Sequence, residues 1–379
     1  MLVRILAPKG HPSPPPMTHS PHHLQTRGRL ALALVGTLAL GACSMEFKGQ
    51  PTEFQLSPQT LEILTGDEEA QAALERELTR LFGTQALPQL QGDAQTLAAG
   101  AKLYAAKCLH CHGNEGGGDG ITSRSVKPVP RDFRMGIFKF DNIANGARPE
   151  LSDLAHVIRT GINGTAMPSM QSLADGDIAE LARYVRYIAM RGEVENWLVE
   201  EYEPGLAITQ HLAQTAYEEV RALWLEADRE RYVAPSPVPP ATEDSIRAGF
   251  ALFHDPRGAN CAGCHGAGGS ERGPSAWNTT PLSPDEKVAL LRDAWGHDSI
   301  PRLLDSEIFR HGTDPQNLFE RIYLGIDGTP MAGIGETLGT DGQRQFSEAN
   351  IWSLVHYVSA LNAGSWTELT GGLAGELEK

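Results

Sequence analysis

The chain is poor in cysteine, in methionine, in aromatic residues and in long apolar runs, and its basic residues are outnumbered by acidic ones. Five cysteines in 379 residues are too few for a disulfide scaffold. Lys and Arg total 32 against 47 Asp and Glu, for a formal net charge of −15, which is not the charge of a nucleic-acid binder. No apolar stretch approaches the roughly 20 residues that cross a bilayer as a helix. Aromatic residues are 7% of the chain, whereas Gly and Pro number 40 and 25, the composition of a globular chain rich in turns and loops. At this length, with 41% hydrophobic residues, two ordinary domains can each bury a core.

The N-terminus is set aside from fold reasoning. Residues 1–26 are Pro- and His-rich without periodicity, and "TRGRLALALVGTLALGAC" then places two arginines before an apolar run from Leu30 to Leu40. That run has the length of a signal-peptide core and is too short for a membrane span. Leu40–Cys43, "LGAC", resembles a bacterial lipobox, which implies removal of residues 1–42 and a lipidated Cys43 as the first mature residue. An ordinary signal peptide cleaved nearby is the alternative, and Met17 is a second candidate start. The leader holds Arg4, Lys9, Arg27 and Arg29 and no acidic residue, so its removal leaves a chain four charges more acidic.

The other four cysteines form two identical motifs, Cys108-x-x-Cys111-His112 and Cys261-x-x-Cys264-His265. Three chemistries use such pairs. A thioredoxin-type thiol pair sits in a βαβ context, but both motifs follow helical stretches. One structural zinc site can take four thiolates, which leaves the adjacent His112 and His265 unexplained. C-x-x-C-H is also the attachment signature of c-type haem: the cysteines form thioethers and the histidine binds iron, a compact clamp on one porphyrin edge. The run after the first motif, "GNEGGGDG", has no lysine and no P-loop spacing, so it is not a phosphate cradle.

The motifs lie in a long internal repeat. "PRDFRMGIF" and "DLAHVIRTGINGTAMPSM" in the first copy correspond to "PRLLDSEIF" and "NLFERIYLGIDGTPMAGI" in the second, with Pro130 to Ile137 and Pro301 to Ile308 both seven apart, and Leu154 to Met167 and Leu318 to Met331 both thirteen apart. Each copy ends in an apolar helix, with Ile178, Leu181, Tyr184, Val185 and Ile188 matching Ile351, Leu354, Tyr357, Val358 and Leu361 at helical spacing. A short helix precedes each motif, with Gly100 and Gly249 at matching places and Tyr104 and Phe253 one turn later. Glycine there permits close approach to the C-terminal helix of the same copy.

Helix, C-x-x-C-H, loops, helix, G-T-x-M and C-terminal helix, in that order and twice, resemble class I cytochromes c over residues 92–195 and 243–364. The resemblance implies an all-α fold of two tandem domains around two covalently bound haems c. The expected organisation is a leader over 1–42, a tether with a short acidic helix over 43–91, domain one over 92–195, a helical and Pro-rich linker over 196–242, domain two over 243–364, and a tail over 365–379. Met167 and Met331 match the family's distal-methionine loop, so the implied axial pairs are His112 with Met167 and His265 with Met331. Met170 competes in the first copy; His156, His297 and His311 are the histidine alternatives. Each proximal histidine is expected to donate its other N–H to a backbone carbonyl, with Pro128 or Pro130 and Pro274 as candidates. The recurring Arg131 and Arg302 are candidate haem-propionate partners.

The second copy carries two insertions. One includes "SPDEKVALLRDAWG", which reads as a helix capped by Ser283; the other is "GETLGTDGQRQ". Between the copies, residues 205–231 read as an amphipathic helix, followed by the polyproline-like spacer "APSPVPPATEDS".

The function implied is electron transfer by two Met/His haems, between a membrane complex or dehydrogenase and a redox partner with a basic docking face, at the periplasmic side of a lipid anchor. No nucleic acid and no small-molecule substrate are predicted. The alternatives are a dihaem peroxidase, which needs one exchangeable axial site, and the cytochrome subunit of a larger oxidoreductase complex.

Overall fold

Capping residues set most of the helix ends. The structure is a computed structural model that describes residues 53–90, 97–143, 146–227, 232–278 and 289–365; Cys43 and Ser283 lie outside them. The described helices are α1 (Pro58–Ile63), α2 (Glu68–Phe82), α3 (Ala98–Lys107), α4 (Leu109–His112), α5 (Leu151–Thr160), α6 (Asp175–Glu200), α7 (Gln210–Ala227), α8 (Glu243–His254), α9 (Ala262–His265), α10 (Pro315–Leu324) and α11 (Glu348–Asn362). Ser57, Asp67, Thr242, Asp314 and Ser347 accept backbone N–H groups at the starts of α1, α2, α8, α10 and α11, satisfying donors that a helix start leaves orphaned. The only extended pair among the described residues is two residues long: β1 (Trp277–Asn278) runs antiparallel to β2 (Ala289–Leu290). The architecture is all-α, as expected. No described helix is long and apolar enough to cross a membrane.

Each copy is built on one helix crossing. A Cβ added at Gly100 would land on the carbonyl of Glu180 and 2.8 Å from Cβ of Tyr184; one at Gly249 would land on the carbonyl of Ser353 and 2.8 Å from Cβ of Tyr357. Glycine is therefore what lets α3 cross α6 and α8 cross α11. The aromatic one turn later packs beside each crossing: Tyr104 lies 5.2 Å from Tyr184, and Phe253 lies 5.1 Å from Tyr357, between ring centroids. Two hydrophobic clusters result, one drawn from residues 56–224 and one from residues 234–361.

The first cluster differs from expectation at its edges. α6 runs to Glu200 rather than ending near Ile188, so the boundary expected at residue 195 falls inside a helix. α1, α2 and α7 cover that extension. Leu64, Leu74, Leu78, Leu81 and Phe82 are essentially inaccessible, each worth roughly 1.5–3 kcal/mol of burial, so residues 56–82 are packed structure rather than free tether. Charged groups join the layers. Arg191 and Glu195 form a buried ion pair at 3.2 Å, and Glu195 also accepts from the Ser57 N–H (2.6 Å) and the Thr60 hydroxyl (2.8 Å). Glu193 takes Arg148 (2.6 Å) and the Trp224 indole N–H (2.7 Å). The expected linker helix is α7, shorter than 205–231, and its Trp224 is buried in the same cluster.

The helix expected to follow Ser283 does not run through "LLRDAWG". From Ala289 the chain pairs as β2 and then turns, because Asp293 Oδ1 accepts from the N–H groups of Trp295 (3.1 Å) and His297 (2.9 Å). An Asp that bonds its own following backbone competes with helix.

Candidate functional site

The two C-x-x-C-H motifs fold identically. Each is a single tight turn in which the first cysteine's carbonyl accepts from the second cysteine and from the histidine: 3.1 and 2.9 Å at Cys108, 3.1 and 2.8 Å at Cys261. Gly113 and Gly266 end the turns at φ 76° and 74°, backbone values that favour glycine. None of the four described cysteines is in a disulfide. Among the described residues no three His, Cys, Asp or Glu side chains converge as a metal cluster, so the two pairs do not share one ion site. Burial pushes the Cys108 thiol to about 12, with neighbouring Cys111 adding to the shift, and burial pushes Cys261 to about 12 as well. Thiols held protonated are poor candidates for a thiol-redox couple, which relies on a depressed pKa.

The histidines are prepared in the same way in both copies. His112 Nδ1 donates to the carbonyl of Arg131 at 3.4 Å, and His265 Nδ1 donates to the carbonyl of Arg302 at 2.9 Å. Arg131 and Arg302 hold equivalent places in the repeat, and it is their carbonyls, not those of Pro128, Pro130 or Pro274, that receive the ring N–H. Burial lowers His112 to about 4 and lowers His265, in each case outweighing the carbonyl bond that acts the other way. Both rings are therefore neutral at neutral pH, with the proton on Nδ1 and the Nε2 lone pair free to bind a metal. Phe133 stacks on the His112 ring with centroids 4.6 Å apart.

The methionine loops repeat bond for bond. Ile162 N–H donates to Met167 O (3.2 Å) and Ile326 N–H to Met331 O (3.0 Å); the hydroxyls of Thr165 and Thr329 donate to Ile162 O (2.8 Å) and Ile326 O (2.7 Å) and accept from Met167 N–H (3.1 Å) and Met331 N–H (3.2 Å). Met170 is distinguished from Met167 by the next turn: its N–H bonds Ile158 O as that of Ile334 bonds Ile322 O. Its repeat counterpart is thus an isoleucine, and its side chain packs against the first cluster.

The arginine side chains are engaged away from their own carbonyls. Arg131 pairs with Asp293 at 3.6 Å and lies 3.6 Å from the Trp295 ring centroid; Arg302 pairs with Glu307 at 3.4 Å. Two further cations occupy equivalent repeat positions, Lys139 and Arg310. Lys139 bonds Asp293 at 3.0 Å, whereas the buried Nε of Arg310 has no hydrogen-bond partner among the described residues. Burial and the neighbouring Arg302 both weigh against its charge. Such a group calls for an anion. Paired cysteines, a neutral imidazole anchored through Nδ1, a thioether in a braced loop and, in the second copy, an arginine Nε without a partner among the described residues fit a haem c with its carboxylates. The alternative histidine ligands have other neighbours. His156 and His311 contact each other edge to face (5.6 Å), His311 stacks on Phe140 (5.2 Å), and His297 lies 3.7 Å from Asp293.

The two copies meet through equivalent residues. Gly164 lies against Ile308 and Gly328 against Ile137, which are the same two repeat positions exchanged, and Phe140 stacks on its own counterpart His311. Contacts of this reciprocal kind mark a two-fold relationship. Arg321 crosses the junction to the carbonyl of Asp141 and to Asn142 Oδ1 (2.8 Å).

Sequence reasoning missed the acceptor carbonyls, the Asp293–Trp295 turn and the Lys139/Arg310 pair. The repeat alignment pairs Lys139 with Arg310 and was the available signal for the last.

A family model matches the region that holds the first site. Residues 95–185 match the family described as cytochrome C oxidase, cbb3-type, subunit III, so this part of the chain resembles a class I c-type cytochrome domain, a resemblance that implies covalently bound haem c and electron transfer. No curated protein matches the chain. Among solved structures, a chain of the Kuenenia stuttgartiensis reducing HAO-like protein complex is similar, with 25% identity over 69% of this chain and 95% of that one and a TM-score of 0.50.

Proposed function

We propose that the chain is a dihaem electron-transfer protein, with His112 and Met167 as the axial pair of one haem c and His265 and Met331 as that of the other. The observation that carries this reading is the repetition of the whole arrangement: the same tight Cys–Cys–His turn, the same arginine carbonyl on Nδ1 and the same threonine-braced methionine loop occur in both copies. Bound haem supplies a one-electron iron centre. The chain's residues anchor and tune it. Cys108 with Cys111, and Cys261 with Cys264, supply thiols for the thioether links. The Arg131 and Arg302 carbonyls fix the imidazole tautomer and orientation. The methionine thioethers would be the second iron ligands and would raise the potential. Arg302 and Arg310, with Arg131, would supply positive charge for the haem carboxylates.

Cys43 carries the proposed lipid anchor, which holds the protein at the periplasmic face of an envelope membrane, and the acidic surface selects a redox partner with a basic docking face. The similarity to a chain of an HAO-like protein complex favours a second setting for the same chemistry, a cytochrome subunit within a larger oxidoreductase assembly. Intact mass and haem assay of the exported protein test the reading: two haems per chain are expected, and the Cys261→Ala/Cys264→Ala variant is expected to retain one. A single haem in the unaltered protein, or loss of both in that variant, contradicts it.

A further inference from the structure

The insertion in the second copy places one aromatic side chain between the two candidate sites. Asp293 is buried, accepts from Trp295 and His297 N–H and from Lys139 at 3.0 Å, and forms an ion pair with Arg131 at 3.6 Å. This fixes the turn against the first copy. The indole of Trp295 then donates to the carbonyl of Asp132 at 3.1 Å, with its ring 3.6 Å from the Arg131 guanidinium carbon. Arg131, the preceding residue, is the one whose carbonyl holds His112. On its other side the ring lies directly on Gly328, where any Cβ would collide with it, and the Ala294 N–H bonds Gly328 O at 2.8 Å. Thr329 follows, and its hydroxyl accepts from the Met331 N–H. One indole thus touches both the segment that orients the first histidine and the loop that presents the second methionine. No residue of the first copy occupies an equivalent place, because the turn lies in the insertion.

We propose that Trp295 is the bridge over which an electron crosses between the two sites within one chain. With haem bound at both sites, each crossing would take one electron from one iron centre to the other, with no bond made and no proton moved. Three features suit the ring to this. It spans the junction with one hydrogen bond to Asp132 and one van der Waals contact with Gly328. Its half-buried position between Arg131 and Gly328 fixes its orientation. The Asp293 clamp couples that orientation to both copies. The proposal rests on the dihaem reading above.

The test uses the full-length haem-loaded protein and its Trp295→Phe and Trp295→Leu variants. Electron exchange between the sites is read from the broadening of haem methyl resonances in half-reduced samples, taking the part that does not depend on protein concentration. Midpoint potentials, the oxidised spectrum and thermal unfolding are recorded alongside. The expected result is a several-fold fall in intramolecular exchange for Trp295→Leu and a smaller fall for Trp295→Phe, which keeps a ring but loses the N–H, with both midpoint potentials unchanged. A purely structural tryptophan would lower the unfolding temperature and leave exchange at its wild-type rate. That outcome overturns the proposal, as does slowing fully explained by shifted potentials, or wild-type protein with two haems and no intramolecular exchange. Failure of the dihaem reading is seen separately, as one haem per chain. Lys139→Gln, which loosens the Asp293 clamp and removes the ammonium 5.5 Å from the ring centroid but leaves the indole itself in place, guards against a misfolded Leu variant. It is expected to slow exchange less than Trp295→Leu, and slowing as large with the ring intact counts against the bridge.

Discussion

Gly249→Ala isolates the helix crossing on which the second site depends. On a free helix, alanine in place of glycine stabilises by about 1 kcal/mol. At 249 the new Cβ meets the Ser353 carbonyl and stands 2.8 Å from Cβ of Tyr357. The obstacle is backbone on α11 and cannot rotate aside, so α8 and α11 must separate. Overpacking of this kind costs typically about 1–3 kcal/mol. With a rigid backbone obstacle the cost falls in the upper half of that range, about 2–3 kcal/mol, so against the propensity gain the net loss is about 1–2 kcal/mol, which for a unit of this size lowers Tm by roughly 5–10 °C. Because α8 leads into Cys261, the shift also reaches the histidine turn and is expected to alter the spectrum of the second haem alone. Gly176→Ala is the control: it lies in the first turn of α6 with nothing within 4 Å of the added Cβ, so it gains up to about 1 kcal/mol. Thermal unfolding followed at the haem band and by circular dichroism reads both. If Gly249→Ala is as stable as wild type, or shifts Tm in the same direction as Gly176→Ala, the close-crossing argument is wrong.

Other outcomes follow from particular residues. Glu195→Ala strands the buried Arg191 guanidinium and removes the acceptor of Ser57 and Thr60; a loss of about 3–5 kcal/mol is expected in urea unfolding, and a loss below about 1 kcal/mol would show that the layers around α6 are held by other means. Burial pushes the Asp327 carboxyl up to about 6. A raised acid favours the folded state below its unfolded pKa, and that contribution fades as pH rises from about 4 to about 6. Asp327→Asn is therefore expected to gain stability relative to wild type across that window, by up to about 3 kcal/mol, and a difference that is flat with pH refutes the assignment. Electron transfer to a basic partner is expected to slow steeply as ionic strength rises; flat dependence speaks against an acidic docking surface.

What could be read from the sequence was short-range or repeated. Each Cys–Cys–His turn is contained within five residues, and Gly100/Gly249 and Met167/Met331 declare themselves by occurring twice at one spacing. The acceptors on His112 and His265 were not legible, because a carbonyl belongs to every residue and the identities of Arg131 and Arg302 say nothing about theirs. The arginines drew attention to the right positions for a different reason. Asp293 and Trp295 were misread as helix: "ALLRDAW" has helical apolar spacing, and the turn depends on an Asp side chain folding back on its own backbone. α1, α2 and α7 looked like tether and linker because their acidic faces mimic solvated helices. Only the continuation of α6 past Ile188, with Arg191, Glu193 and Glu195 needing buried partners, explains why they pack.

The most direct test of the account is the long-wavelength sulfur-to-iron absorption band of the oxidised protein, measured in wild type and in Met167→Ala, Met331→Ala, Met170→Leu and the Met167/Met331 double variant. Two methionine-ligated haems predict that each single substitution at 167 or 331 removes about half of the band per chain, that the double variant removes all of it, and that Met170→Leu leaves it whole. A wild-type protein without the band, or one whose band survives the double substitution, contradicts the proposed axial ligands.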